Sequence, residues 1–460
     1  MQDRNIYTSG GSPTASTSSV LTIATLAAKE NRAVGTVDFP SAFLNCEMPE
    51  DAEPVYMRLD VFSTMVMTEI DANFLPFVSK DGTSIVVLKR ALYGCVESSR
   101  IWNDKLHSEL TVMGYVRNEY DKCIYNRIEK DLSQTTLVVH VDDIFISAKN
   151  EENIDYCMDE IEKVFGQVTK HRGRVLNYVG MTFTFDEASK LKVTMKGYIQ
   201  DLMKFVASKE EYSGTAPDPA RESLFDTKYG NCDLLNKEEK EHFHTLTAKL
   251  LYLGKRVRPD ILVAVSYLCK RVQIPTDGDK QKLIRVIQYV RSTPDLGINL
   301  EASKNVSIIS YVDASYGVHD DLKSHTGFTV GIGKGPICSK SSTQKINTKS
   351  STEAEFFGIS DSIGHVIWLR NFLICQGYKD VGPAILGQDN MSTIQLVKNG
   401  QANSDATRHI AIRFFFVHDR MKSEEISIKW ISTNEMIADI LTKPLQGAKF
   451  KELRGLLLNL

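Results

Sequence analysis

The chain has no Cys-x-x-Cys pair, no uncharged apolar run of membrane-spanning length and no excess of positive charge. Each absence excludes something. The cysteines are scattered, at Cys46, Cys95, Cys123, Cys157, Cys232, Cys269, Cys338 and Cys375. Neither a zinc ribbon nor a thioredoxin-like site is expected from such spacing. A transmembrane helix needs about 20 consecutive apolar residues, and none is present. The N-terminus lacks the basic segment and apolar core of a secretory signal. These absences predict a soluble intracellular protein with reduced thiols and no membrane partner. Net charge is -3, from 55 Lys+Arg against 58 Asp+Glu. That is unlike a uniformly basic nucleic-acid binder. A balanced chain can still carry a positive groove, and residues 249–258 and 280–291 are locally basic.

The 460 residues, 42% hydrophobic and 25% charged, have room for two or three domains. Residues 1–19 are rich in Ser, Thr and Gly and read as a disordered leader. A helix is expected over 20–31, then a strand ending at Asp38. Strands are expected at 54–59, 84–88, 122–127, 134–141 and 143–147. Between them, Trp102, Leu106 and Leu110 mark the buried face of a helix. Ile154, Met158, Ile161 and Phe165 mark a second one. Strands at 175–183 and 191–195 follow. A polar, turn-rich connection covers 211–235, and helices broken at Pro259 and Pro275 fill 239–300. The last region alternates strands and helices in a five-stranded α/β order, with Asp439 inside a final helix, 433–442. The expected domains are therefore 20–210, 211–304 and 305–445, with a C-terminal tail at 446–460.

Two acidic constellations stand out. Asp142 and Asp143 lie between two apolar β-type runs, LVVHV and IFIS, and Asp38 ends another strand. Carboxylates at strand ends on a rigid sheet are a way to hold magnesium beside a substrate phosphate. The alternative is a solvated Asp-Asp turn. Asp313, Glu355, Asp389 and Asp439 form the second set. Four converging acids would repel unless cations bridged them, as in two-metal phosphodiester hydrolysis. Taken singly, Glu355 also fits a capping box as Thr352-x-x-Glu355, and Glu353 fits one as Ser350-x-x-Glu353. Asp389 could be turn chemistry, and Asp439 a helix surface charge.

The first stretch resembles the YVDD box of reverse transcriptases from copia-type (Pseudoviridae-like) LTR retrotransposons. TVDFPSAFLN resembles the first palm motif of that family, LKRALYGCVESSRIW its substrate-site motif, and LLYLGKRVRPDILVAVSYL its YLT-RPDI segment. In the last region KSSTEAEFFGISDSIGHVIWLRNFL, DNMSTIQLVKN, TRHIAIRFFFVHDRM and STNEMIADILTKPL resemble successive ribonuclease H segments. The resemblance covers roughly 20–445. It implies an α+β polymerase palm lacking most of the fingers, a helical connection region and an α/β ribonuclease H-like domain. It implies an enzyme with RNA-directed DNA polymerase and hybrid-specific ribonuclease H chemistry.

Carried over by position, Asp38, Asp142 and Asp143 would hold one pair of Mg2+ ions. Asp313, Glu355, Asp389 and Asp439 would hold another pair, with Mn2+ a possible substitute. Phe43 would crowd the sugar 2′ position, unless it is simply core. Gly94 would allow close approach of a nucleotide or template backbone, unless it is simply a turn. Arg100, Arg408 and His409 would contact substrate, unless their roles are structural. The implied partners are template RNA, primer DNA, RNA/DNA hybrid, deoxynucleoside triphosphates and other parts of a retrotransposon polyprotein. The implied location is cytoplasmic, with access to the nucleus. The chain departs from the family at His140, Cys46, Glu97, His365, Ala411, Phe415, His418 and Asp419. By the resemblance it is expected to begin just before the palm, without the fingers segment that should bring basic residues to the triphosphate. Hybrid cleavage with weak primer extension is the expected result. The alternative is a degenerate or repurposed nucleic-acid-binding protein that keeps the folds with one activity or neither.

Overall fold

A computed structural model describes residues 11–49, 53–230, 232–399 and 408–460, with the side chains of 408–411 excepted. The first ten residues of the expected leader lie outside the described residues. The leader's last three lie within a helix, Thr17–Lys29, which starts earlier than expected because Ser16 caps it. Residues 19–28 of that helix are all buried, so it is a core element, wedged between the palm sheet and a second sheet.

The palm sheet is antiparallel and has six strands. Their order is Val116–Arg117, Ile124–Ile128, Gln134–His140, Asp143–Ala148, Ala33–Asp38, Thr169–Arg172. The central strands bury side chains on both faces, as a two-residue alternation allows. Val37, Leu137, Val139, Ile144 and Ile146 meet the helices Ser98–Val112 and Glu151–Phe165. Val34, Val138 and Phe145 face the opposite core. The expected stripes, Trp102/Leu106/Leu110 and Ile154/Met158/Ile161/Phe165, are the buried faces of those two helices. Between the first strand and the helix at 98, a small lobe pairs Tyr56–Leu59 with Ser84–Val87.

The second sheet joins parts of the chain that the sequence had assigned to three domains. Val175–Tyr178, Met181–Phe185 and Leu191–Thr194 extend through Ile298–Ala302 to Gly333–Lys334. Helices Lys237–Arg256, Leu262–Arg271 and Asp277–Ser292 form the expected connection. The first and third begin with complete capping boxes, Asn236/Glu239 and Thr276/Asp279. The turn-rich 211–235 stretch is packed down, with Tyr212, Leu224 and Phe225 buried.

The final α/β unit has the expected five strands, in the order Cys338–Thr343, His325–Gly331, Ile309–Ser315, Ala384–Gln388, Ile426–Trp430. The first three are antiparallel, and the last two run parallel to the centre. Helix Ser351–Cys375 lies across the sheet. Two local expectations need correction. Residues 433–442 are two short 3-10 turns, Thr433–Glu435 and Ile437–Leu441, interrupted at an extended Met436. The tail at 446–460 is largely a helix, Gly447–Leu458, that buries Phe450, Leu453 and Leu457. That i, i+3, i+7 spacing makes it part of the core. All eight cysteines are free, and no described helix is long and apolar enough to cross a membrane.

Candidate active sites

The second acidic set converges. Asp313 sits on the central strand, Glu355 on the first turns of the long helix, and Asp389 directly after Ala384–Gln388. Each offers a carboxylate oxygen within 4.8 Å of the others. No other such group of three or more His, Cys, Asp or Glu occurs among the described residues. Helix capping decides between the two glutamates. Ser350 accepts from the Glu353 N–H, and Glu353 accepts from the Lys349 N–H. Glu353 is the capping residue, which leaves Glu355 buried in the site.

Asp439 joins the set from the turn Ile437–Leu441. Lys443 Nζ lies 2.7 Å from Asp439 Oδ1 and 3.6 Å from Asp313 Oδ1. Thr442 Oγ1 donates to Asp313, Gln388 Nε2 donates to Glu355 Oε2 at 3.2 Å, and Thr433 Oγ1 donates to Asp389 Oδ2 at 2.9 Å. Gly327 is the strand partner of Asp313. A Cβ there would stand 2.6 Å from Leu441 Cβ and 2.7 Å from Thr442 Cγ2. Only glycine lets the turn bearing Asp439 lie against the sheet.

Crowding of like charge away from water sets the protonation. Burial raises Asp313, against the opposing pull of Lys443 and Thr442. Burial, then Asp313 and Asp389, push Glu355 well above the usual carboxylate range. Burial and Asp313 push Asp439 up to about 6. Lys443 is raised because the carboxylates outweigh its own burial. The arrangement is short of positive charge, and its donors are hard oxygens, which suits divalent cations such as magnesium.

The polymerase-like set converges only in part. Asp38 and Asp143 are strand partners and share a side-chain hydrogen bond. Burial, then Asp38 and Asp142, push Asp143 up to about 6. Asp142 does not complete a close trio. It lies in the hairpin turn after Val141, whose φ is 59°, and its Oδ2 is 3.4 Å from the Tyr93 hydroxyl. Phe43 is buried, with its ring 4.4 Å from that of Tyr93. Gly94 has φ 94° and open space where a Cβ would stand. Glycine is required there by the turn, and not by a close neighbour. Glu97, which would be unhelpful beside an anionic substrate, is paired with Arg100 at 2.8 Å. The side chains of Arg408 and His409 lie outside the described residues.

Sequence reasoning missed Gly327, Gln388, Thr433, Thr442, Lys443 and Tyr93. Thr442 and Lys443 were within reach, three and four residues beyond Asp439 in the ADILTKPL stretch.

The family model described as "Reverse transcriptase (RNA-dependent DNA polymerase)" matches residues 2–218. The "Retrovirus-related Pol polyprotein from transposon RE1" of Arabidopsis thaliana is 28% identical over 384 residues, covering 82% of this chain and 25% of that protein. The corresponding polyprotein from transposon TNT 1-94 of Nicotiana tabacum is 26% identical over 454 residues, covering 97% of this chain and 32% of that protein. The chain thus spans a quarter to a third of the length of these relatives. A solved foamy viral protease-reverse transcriptase in complex with RNA/DNA hybrid aligns with a TM-score of 0.47 at 11% identity, covering 87% of this chain and 44% of that one. With the motifs in order along both regions, the chain is similar to copia-type LTR retrotransposon Pol polyproteins across 82% to 97% of its length, and to the reverse transcriptase family model over residues 2–218.

Proposed function

We propose that this chain hydrolyses the RNA strand of an RNA/DNA hybrid at Asp313, Glu355, Asp389 and Asp439, leaving a 3′-OH on the RNA. The observation that carries the reading is the approach of three carboxylates to within 4.8 Å of one another. Bound Mg2+, with Mn2+ as substitute, would activate the attacking water and steady the leaving 3′ oxygen. The protein's own part is to aim the ligands. Gln388, Thr433 and Thr442 hold three carboxylates by hydrogen bonds. Lys443 supplies positive charge at the edge of the site.

For the palm, the same reading assigns Asp38 and Asp143 to metal-assisted extension of a DNA primer on an RNA template with deoxynucleoside triphosphates. Phe43, braced by Tyr93, would crowd a ribose 2′-OH. Two observations favour weak or lost extension. Asp38, Asp142 and Asp143 do not cluster within 4.8 Å of one another as the second set does, and the guanidinium of Arg100 is engaged by Glu97. A palm that binds nucleic acid without extending it is therefore the second reading for this half. Such a protein would work in a cytoplasmic particle, together with other parts of the polyprotein, and its DNA product would need to reach the nucleus.

Incubation with a labelled hybrid and Mg2+ should shorten the RNA strand, and chelator should stop it. Primer extension under the same conditions should be slow. Absence of metal-dependent cleavage would overturn the hydrolytic reading. A steric prediction follows from the glycine beside Asp313. Gly327→Ala should displace the Ile437–Leu441 turn, lowering stability by about 1–3 kcal/mol as overpacking does. It should lower kcat for hybrid cleavage by roughly tenfold or more, because a misplacement of about 1 Å is enough. Denaturant titration and steady-state kinetics on the one variant check both effects.

A further inference from the structure

Trp430 is the last residue of the strand Ile426–Trp430 and pairs in register with Gln388, which holds Glu355. Its indole N–H donates to the backbone carbonyl of Asp389 at 3.1 Å. Thr433, three residues on, binds the carboxylate of the same aspartate. One edge of the indole is thus pinned beside a candidate metal ligand. The rest of the ring is in water, with 57% of the residue exposed. The chain's other tryptophans are placed differently. Trp102 is buried with its N–H on the Val141 carbonyl, and Trp368 is half-buried with its N–H on the Tyr120 carbonyl.

We propose that Trp430 is a substrate-contacting residue. Its exposed face packs against the sugar or base of the nucleotide next to the scissile phosphate. A planar ring with few rotatable bonds loses little freedom on contact, and an aromatic face accepts any base, so the contact is independent of sequence. The carbonyl anchor stops the ring from folding away from the acidic set. This inference rests on the hydrolytic reading of that set.

Trp430→Ala should raise KM for hybrid by about tenfold, the low-to-middle range for loss of one base–aromatic contact, with kcat within about twofold of wild type. Trp430→Phe keeps an aromatic face without the N–H and should keep KM near wild type. In chelator, where no cleavage occurs, an unlabelled hybrid should quench tryptophan emission saturably in the wild type, and the quench should be lost in Trp430→Phe. Hybrid that binds by fluorescence anisotropy without quenching, or a KM unchanged in Trp430→Ala, overturns the contact. So does a fall in kcat alone in both variants, which would assign Trp430 only to holding Asp389. Quenching by hybrid in a wild type that cleaves nothing would keep the contact and overturn the hydrolytic reading instead.

Discussion

Asp313→Asn should abolish metal-dependent hybrid cleavage and make the metal-free protein more stable at pH 8. On the proposed reading, the loss of activity follows from removing one of the three clustered carboxylates that would hold the cation. Several kcal/mol of transition-state charge stabilisation correspond to about a thousandfold or more in rate. The gain in stability follows from protonation. Unfolded carboxyls ionise near pH 4. In the folded protein Asp439 is held at about 6, and Asp313 and Glu355 are raised as well, by burial first and then by one another. From about pH 4 up through the folded pKa values, the folded state therefore binds more protons than the unfolded one. Stability falls as pH rises across that window. Asparagine takes one buried charge out of the set and should flatten the slope. Asp143, also raised to about 6, adds to the slope of both proteins and cancels in the comparison. Mg2+ should raise the wild-type melting temperature by mass action, more at pH 8 than at pH 5, and less in the variant. Melting curves at the two pH values, with and without Mg2+, test this. An unchanged pH slope and an equal Mg2+ shift in the variant would place the charge crowding elsewhere.

Asp260→Ala should cost about 3–5 kcal/mol of stability, the usual penalty for stranding one member of a buried ion pair. Arg258 and Asp260 are both fully buried. The guanidinium reaches the two carboxylate oxygens at 2.9 and 2.8 Å, and also the Thr293 carbonyl and hydroxyl at 2.9 Å each. Tyr289 donates to Asp260 Oδ2, and Arg454 of the C-terminal helix reaches the Tyr289 hydroxyl at 3.3 Å. Burial disfavours the charged arginine, but Asp260 and Tyr289 outweigh it. Without Asp260 the cation remains buried and without its counter-ion. The double replacement Arg258→Met/Asp260→Leu should recover most of the loss, since apolar side chains can replace a buried pair at little cost. Denaturant unfolding of the three proteins separates these outcomes. Equal stability of Asp260→Ala and wild type would show that the network is not needed. The RPDI stretch, known above only by resemblance, thereby gains a physical role as a clamp between connection helices and C-terminus.

Local pattern carried much of this fold. The Trp102/Leu106/Leu110 stripe, the hairpin around Asp142 and the five-stranded order of the last region were legible because each depends on neighbours in sequence. The choice of Glu355 over Glu353 rested on the resemblance alone, since both fit a capping box. The Ser350 hydrogen bond supplies the physical reason, because it makes Glu353 the capping residue. Convergence was legible only through the resemblance, not from local pattern. Asp313, Glu355 and Asp389 come together through strand pairing and helix docking across 76 residues of chain, from 313 to 389. Asp142 shows the reverse. Adjacent to Asp143 in sequence, it falls in the turn while its neighbour enters the strand. Asp439 was placed in a helix because the caps and apolar spacing allow one, but Met436 breaks it.

The sheet that runs from Val175–Tyr178 to Gly333–Lys334 bears on how such an element can evolve. Its five strands come from regions that look separable by motif, and its hydrogen bonds cross both apparent seams. A recombination joint at residue 210 or 304 would unite strands that had not diverged together, and would leave unpaired edges if either side failed to match. Exchange between lineages should therefore favour the regions on either side of these seams travelling as one inherited block.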